Sequence, residues 1–270
     1  MTVTLDTTPA TVVSADGTPI AYTATGTGPA VVFVDGALCH RAFGPGPALA
    51  AELAAHHTVH TYDRRGRGDS GDTAPFDVER EIEDLAAVIA AAGGTAYVVG
   101  MSSGSALALR AATAGIGVRK VAVYEPPFTT DDDGAAHFAD YVRNLRTALA
   151  EDRYGDAVAE LMLYAGAPAP AVEQMRAIPL WPAFEAVAPT LAYDAEALGV
   201  DTGAAVPVGL LADITVPVLA VDGGASPETL RAPTRAVAAA TPTARYATLP
   251  DQTHEVAPAV LAPVLTDFFA

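Results

Sequence analysis

The sequence predicts an α/β fold in which a mostly parallel sheet carries helices on both faces. Apolar runs of strand length alternate with segments of helical length along residues 10–124. The run 30–34, Ala-Val-Val-Phe-Val, is apolar throughout, which is typical of a strand that is covered on both sides. A glycine-flanked turn at 100–104 joins another apolar run directly to a segment rich in Ala and Leu. Together these patterns indicate parallel strands connected by helices.

The elements follow in order along the chain. The first two predicted strands, 11–13 and 20–22, form a hairpin because Asp16-Gly17 between them favours a tight turn. Six further strands are predicted at 30–34, 57–62, 96–100, 120–124, 216–221 and 244–249, which makes eight. Helices are predicted beside them at 43–55, 78–92, 103–114, 227–240 and 257–269.

Residues 128–206 interrupt this alternation, because they contain helical stretches and no convincing strand. The helices are predicted at 135–150, 154–164, 169–178 and 182–198. Such an insertion predicts a helical cap on a core domain formed by 1–127 and 207–270. Its aromatic side chains either pack in the cap's own core or face the cavity beneath it. The expected substrate contacts are Phe128, Tyr141 and Trp181, with Met101 in the glycine-flanked turn.

The turn Gly100-Met101-Ser102-Ser103-Gly104 has the form of a nucleophile elbow, with a strand before it and a helix after it. In such a turn the serine adopts a strained backbone conformation that exposes its hydroxyl. The residues two before and two after it then lie so close together that a Cβ at either would clash. The register selects Ser102, because Ser103 would need glycine at 101 and 105, where Met and Ser stand.

A second motif, the segment 62–71 (Tyr-Asp-Arg-Arg-Gly-Arg-Gly-Asp-Ser-Gly), resembles the Asp-x-Arg-Gly-x-Gly-x-Ser segment of the α/β-hydrolase superfamily. With the elbow, it makes nearly the whole chain outside the insertion similar to that superfamily. The resemblance implies the α/β-hydrolase fold, with an eight-stranded, mostly parallel sheet and the cap inserted after the sixth strand. The segment itself is interpreted as structural, since its Asp and Ser side chains tie a tight loop.

The resemblance also implies a catalytic base and an oxyanion hole. A histidine is expected shortly after the last strand, and His254 lies there. It would take the proton of Ser102 and return it to the leaving group. The expected oxyanion donors are the amides of Ala37 and Ser103. The superfamily commonly has His-Gly just before the first of these, where this chain has Asp35-Gly36, and that departure leaves the backbone donors intact.

The acid of the expected triad is missing from its usual place. Most members of the superfamily carry Asp after the seventh strand, where this chain has Ser226, and a serine cannot stabilise an imidazolium as a carboxylate does. Glu125 is the favoured substitute. It ends the sixth strand at the active-site edge of the sheet, and the haloalkane dehalogenases resemble this arrangement. Asp222, Asp251 and the absence of any acid stay open.

Composition excludes several classes of function. A net charge of −17 argues against nucleic acid or an anionic membrane as a partner. Although 51% of the residues are hydrophobic, no apolar run approaches the roughly 20 residues that span a bilayer. Cys39 is the only cysteine, so no internal disulfide is expected, and residues 1–6 lack the features of a secretory signal. The expected location is therefore the cytoplasm.

The predicted function is hydrolysis of a carboxylic ester, lactone or thioester of a small apolar molecule through an acyl-enzyme on Ser102. A serine nucleophile removes the dehalogenase and epoxide hydrolase chemistries, which use Asp. Cofactor-free lyase, isomerase or perhydrolase chemistry and a non-catalytic ligand-binding role stay open. No metal or organic cofactor is expected, because no ligand cluster or phosphate-cradling loop is visible. The expected partner is a small-molecule substrate, and a homodimer is left open.

Overall fold

Eight strands form one sheet in the computed structural model, which describes residues 9–270. The strands are β1 Ala10–Val13, β2 Pro19–Gly26, β3 Ala30–Val34, β4 Thr58–Tyr62, β5 Ala96–Met101, β6 Val118–Tyr124, β7 Val218–Gly223 and β8 Ala244–Leu249. Their order across the sheet is β1-β2-β4-β3-β5-β6-β7-β8. The β1–β2 and β2–β4 pairs are antiparallel, and all the other pairs are parallel. The predicted fold class is confirmed.

Helices cover both faces of the sheet because its strands are apolar on both sides. The helices are α1 Gly46–Leu53, α2 Val78–Ala91, α3 Gly104–Ala111, α4 Asp132–Ala150, α5 Tyr154–Tyr164, α6 Ala169–Arg176, α7 Trp181–Val187, α8 Leu191–Leu198, α9 Val208–Ala212, α10 Glu228–Ala240 and α11 Pro258–Phe269. Alternate residues of β3 show the division: Val31 and Phe33 pack with α1 and α11, whereas Val32 and Val34 pack with α2 and α3.

Residues 128–206, which we call the insertion, lie between β6 and β7 and contain helices and no strand. Its two ends lie together, because the N–H of Thr129 donates to the carbonyl of Ala204 at 2.8 Å and the N–H of Val206 donates to the carbonyl of Thr129 at 3.3 Å. Whether these limits are those of a separate cap domain stays a prediction.

Two details between β6 and β7 differ from the sequence prediction. The single helix predicted at 182–198 is two helices, α7 and α8, joined by the short 3₁₀ turn Ala188–Thr190. Pro189 lies in that turn, and because proline has no N–H to donate, it removes one of the hydrogen bonds that a continuous α-helix would make there. Helix α9 was also not predicted.

No helix within residues 9–270 combines the length and the apolar character that crossing a membrane requires. The secretory-signal prediction concerns residues 1–6, which lie outside the described residues.

Candidate active site

Ser102 lies in a tight turn at the carboxyl end of β5. Its φ is +53°, a left-handed conformation that is strained for a residue with a side chain. A Cβ on Gly100 would lie 2.6 Å from Cα of Ser105 and 2.7 Å from the carbonyl oxygen of Gly104, so only glycine fits there. The N–H of Ser102 donates to the carbonyl of Tyr124 at 3.0 Å, which fixes the turn beside the end of β6.

Glu125 and His254 meet at the same edge of the sheet. Glu125 directly follows β6, has a φ of +46°, and is completely buried. Its Oε2 lies 2.7 Å from Nδ1 of His254, and its Oε1 accepts the N–H of Gly223 at 2.8 Å. The glutamate side chain therefore reaches past the end of β7 to the loop after β8. Because Nδ1 is engaged, Nε2 is the nitrogen left to exchange a proton with another group.

Tyr124 connects the serine turn to the loop that carries His254. Its carbonyl accepts the N–H of Ser102, and its hydroxyl donates to the carbonyl of Thr253 at 2.6 Å. Burial, reinforced by the charges of Glu125 and Asp222, raises the pKa of the Tyr124 phenol, so the hydroxyl remains a donor. In this structure His254 is hydrogen-bonded to Glu125 and not to Ser102. This is compatible with a catalytic pair, because the hydrogen bond between a catalytic serine and its histidine is often long when no substrate is bound.

The other carboxylates considered for the triad lie elsewhere. Asp222 is buried, but its Oδ2 accepts the hydroxyl of Tyr246 at 2.7 Å and Nε of Arg231 at 3.3 Å. Asp251 is exposed, with a φ of +58° in the loop before His254. Neither carboxylate is hydrogen-bonded to the histidine in the described part of the chain.

The two expected oxyanion donors flank Ser102. Ser103 is the N-cap residue of α3, and Ala37 follows Gly36 in the loop after β3. A Cβ on Gly36 would lie 2.9 Å from Cβ of Ser102 and 3.6 Å from its Oγ, so this loop runs directly against the serine. Within residues 9–270 neither the Ala37 nor the Ser103 amide donates a hydrogen bond. An oxyanion hole requires N–H groups of this kind, which make no other hydrogen bond and lie near the serine, so the role of the two amides stays a prediction.

Residues 27–264 match the model of the Alpha/beta hydrolase family. The chain belongs to this family. An alpha/beta hydrolase from Sphaerobacter thermophilus DSM 20745 is 50% identical, with a TM-score of 0.87 over 97% of this chain and 100% of that chain. Because the match covers nearly the whole of both chains, the two proteins are similar in the insertion as well as in the core.

Two esterase structures are more distant neighbours of this α/β hydrolase. A thermophilic esterase from Thermogutta terrifontis is 20% identical, with a TM-score of 0.68 over 97% of this chain and 96% of that one. The esterase RhEst1 from Rhodococcus sp. ECU1013 is 22% identical, with a TM-score of 0.70 over 96% and 98% of the two chains. At these levels of identity, the two similarities show a shared fold and no more. A comparison with curated proteins found no match. The family and the fold identify the protein as an enzyme of the hydrolase type.

Asp35 stands where the superfamily commonly has histidine, and it is 1% exposed. Neither of its carboxyl oxygens has a hydrogen-bond partner among the described residues. Burial raises its pKa to about 7, although the nearby charges of Arg67 and Arg64 oppose the rise. The loop that carries the Ala37 amide therefore begins at a buried carboxyl that titrates near neutral pH.

Cys39 lies in the same loop, and within residues 9–270 its thiol makes no hydrogen bond. Burial, with the charge of Asp35 adding to it, raises the pKa of the thiol to about 12. A thiol of this kind is inert, because the thiolate is the form that attacks or binds metals. Within residues 9–270, no group of three or more His, Cys, Asp and Glu side chains is arranged to hold a metal ion.

Asp194 is a buried carboxylate beside the serine turn that the sequence analysis did not single out. It lies on α8 of the insertion, yet its carboxylate contacts Arg64 and Arg67 of the core at 2.6 Å each. Burial raises its pKa, but the two guanidinium charges and a hydrogen bond from Ser103 outweigh burial and hold the pKa below its ordinary value. The only signal in the sequence is the run of arginines at 64–67, whose burial demands carboxylate partners.

The four predicted substrate contacts are buried. Met101 packs on the α1 and α11 side of the sheet, and Phe128 packs in the cluster on the other side. Tyr141 stacks on Tyr164 with the ring centroids 4.6 Å apart. Trp181 donates its indole N–H to Glu185 at 3.1 Å. None of the four is more than 7% exposed, and their contact with substrate stays a prediction.

A pair of partly exposed aromatic rings joins the loop after β3 to the insertion. Phe43, in the loop after β3, meets Phe184 of α7 edge to face with the centroids 5.4 Å apart. The sequence predicted a helix from residue 43, whereas α1 begins at Gly46 and Phe43 lies in the loop before it.

Proposed function

We propose that this α/β hydrolase is a serine hydrolase that cleaves a carboxylic ester, lactone or thioester of a small apolar molecule through an acyl-enzyme on Ser102. The observation that carries the proposal is the 2.7 Å contact between Glu125 Oε2 and His254 Nδ1 beside the serine turn. A buried carboxylate on Nδ1 fixes the tautomer in which Nε2 can accept a proton.

In the acylation step, the Ser102 oxygen bonds to the carbonyl carbon while its proton passes to Nε2 of His254. The electron pair of the carbonyl π bond moves onto oxygen, and the amides of Ala37 and Ser103 donate to the resulting oxyanion. When the carbonyl re-forms, the bond to the alkoxide or thiolate breaks. His254 then gives its proton to this leaving group.

Deacylation repeats these steps with water as the nucleophile. His254 removes a proton from water as its oxygen bonds to the acyl carbon, and the proton then goes to the departing Ser102 oxygen. In both halves the imidazole becomes positively charged. Glu125 stabilises that charge strongly because the carboxylate is completely buried and its other oxygen is already held by the Gly223 N–H.

The proposed substrate class rests on the loop after β3 and on the neighbours. The edge-to-face contact of Phe43 with Phe184 supplies apolar surface near the oxyanion loop, which suits a small apolar acyl or alcohol group. Two structural neighbours are esterases, so esters are the first class to test. The single cysteine agrees with the proposed location in the reducing cytoplasm.

The test is hydrolysis of p-nitrophenyl acetate and p-nitrophenyl butyrate without added peroxide or cofactor. The rate is measured from the absorbance of the nitrophenolate that is released. The wild-type enzyme is expected to turn over, and Ser102→Ala is expected to be inactive. Glu125→Gln should lower kcat about a thousandfold or more, because a neutral amide no longer stabilises the imidazolium. Ser226→Ala, at the superfamily's usual acid position, is the matched control and should retain kcat within about twofold.

Two results would contradict the proposal. Wild-type enzyme that hydrolyses neither ester and does not react with a fluorophosphonate is not a serine hydrolase. A Glu125→Gln variant with wild-type kcat would show that the acid lies elsewhere.

A further inference from the structure

One carboxylate from the insertion holds three groups of the core. Asp194 is 3% exposed, and its Oδ1 accepts Nη1 of Arg64 at 2.6 Å and the hydroxyl of Ser103 at 2.7 Å. Its Oδ2 accepts Nη2 of Arg67 at 2.6 Å. Both arginines are completely buried, so water does not weaken these contacts.

Arg67 extends this contact to the oxyanion loop. Its Nη1 donates to the carbonyl of Gly36 at 2.7 Å and to the carbonyl of Cys39 at 3.1 Å. The carbonyl of Gly36 and the N–H of Ala37 belong to the same planar trans peptide, so they point in opposite directions. A guanidinium that holds the carbonyl on one side therefore fixes the direction of the N–H on the other side. Its positive charge also polarises the peptide, which makes the N–H a stronger donor.

The same carboxylate also binds the residue that carries the second N–H donor, Ser103. The amide of Ser103 is the other expected oxyanion N–H, and the side chain of this residue is bound to Asp194. Asp194 thus reaches one donor through Arg67 and the Gly36 peptide, and the other through the hydroxyl of the donor residue itself.

We propose that Asp194 is a positioning residue for the oxyanion hole, so that docking of the insertion on the core sets the geometry of both N–H donors. The inference rests on the proposed function, since it assigns a role within that active site. Asp194 does not touch substrate. It acts through Arg67 and Ser103, and its loss should weaken stabilisation of the transition state more than binding of the substrate.

The test compares Asp194→Asn with Asp84→Asn. Asp84 is 1% exposed and holds Arg65, the neighbour of Arg64, at 2.7 Å, so its substitution also removes a buried charge from an arginine. Among the described contacts, Arg65 does not reach the oxyanion loop or the serine turn. Both variants are expected to melt at a lower temperature, and a purely structural role predicts similar catalysis for the two.

The discriminating measurements are kcat, KM and the Ki of phenylboronic acid, which forms a tetrahedral adduct on an active serine. Asp194→Asn should lower kcat by about 10- to 100-fold with KM within about threefold, because the donors are misdirected and not removed. Its Ki for the boronic acid should rise by a similar factor. Asp84→Asn should keep all three constants within about threefold.

If Asp194→Asn does not fold, Arg67→Lys provides the same test. Lysine keeps the positive charge, but its ammonium lacks the planar fork that spans the carboxylate and the Gly36 carbonyl. The inference is overturned if the folded variant keeps wild-type kcat and boronic acid affinity. Failure of the proposed function is a separate outcome, because wild-type enzyme would then neither hydrolyse the ester nor bind the boronic acid.

Discussion

Replacement of Asp35 by asparagine should stabilise the protein, and the gain should grow with pH. The folded protein holds this carboxyl buried, without a hydrogen-bond partner in the described part of the chain, and with a pKa of about 7. In the unfolded chain an aspartate has a pKa of about 4. Between these two values the unfolded state loses the proton while the folded state keeps it, so stability falls as pH rises and levels off above about 7.

The difference between the two pKa values corresponds to about 4 kcal/mol of unfolding free energy. Asparagine has the shape of the protonated acid but does not ionise, so the variant avoids this cost. We expect Asp35→Asn to match wild type within about 1 kcal/mol at pH 4.5 and to exceed it by as much as about 4 kcal/mol at pH 8.

Urea unfolding at both pH values measures the difference, provided that the m value is unchanged. Asp213→Asn is the matched control, since Asp213 is exposed and its substitution should produce no pH-dependent gain. The reasoning is refuted if Asp35→Asn differs from wild type by the same amount at both pH values. It is also refuted if the variant is the less stable protein at pH 8.

Three further predictions concern the turn, the acid and the histidine loop. Gly100→Ala should lower both soluble yield and kcat, because the added Cβ would lie 2.6 Å from a backbone atom. Gly209→Ala is the control and should change neither quantity, since no described atom lies within 4 Å of the added Cβ. Steady-state kinetics of the Glu125→Gln, Ser226→Asp double variant should show at least about tenfold recovery over Glu125→Gln alone, and no recovery would argue that an acid at 226 does not serve the histidine. Tyr124→Phe removes the 2.6 Å hydrogen bond to the loop that carries His254 and should lower kcat about tenfold. The variant keeps the main-chain carbonyl that accepts the Ser102 N–H, so the serine turn should stay as it is. An unchanged kcat would show that the loop is held by other contacts.

The fold was predictable because its signals are local. Apolar runs such as 30–34 mark strands covered on both faces, and the Gly-x-Ser-x-Gly turn marks the junction of β5 with α3. The break between α7 and α8 was not predicted. Pro189 lies at the break, but a proline alone does not mark a helix end, since Pro233 lies inside α10 and Pro263 inside α11.

The site was only partly predictable. Glu125 could be proposed because strand ends meet at one edge of a parallel sheet, and the structure places it against His254. Asp194 could not, because its contact with Arg64 joins residues 130 positions apart, and no periodicity links such a pair. Substrate contacts were the least predictable, since the sequence does not distinguish an aromatic side chain that packs in the insertion from one that faces a ligand.

The most direct test of the account is to map where a fluorophosphonate probe attaches, by mass spectrometry of the peptide that contains Ser102, Ser103 and Ser105. The account predicts a single adduct on Ser102, absent from Ser102→Ala and formed far more slowly by Glu125→Gln. Rapid ester hydrolysis with an adduct on another residue, or with none, would contradict it.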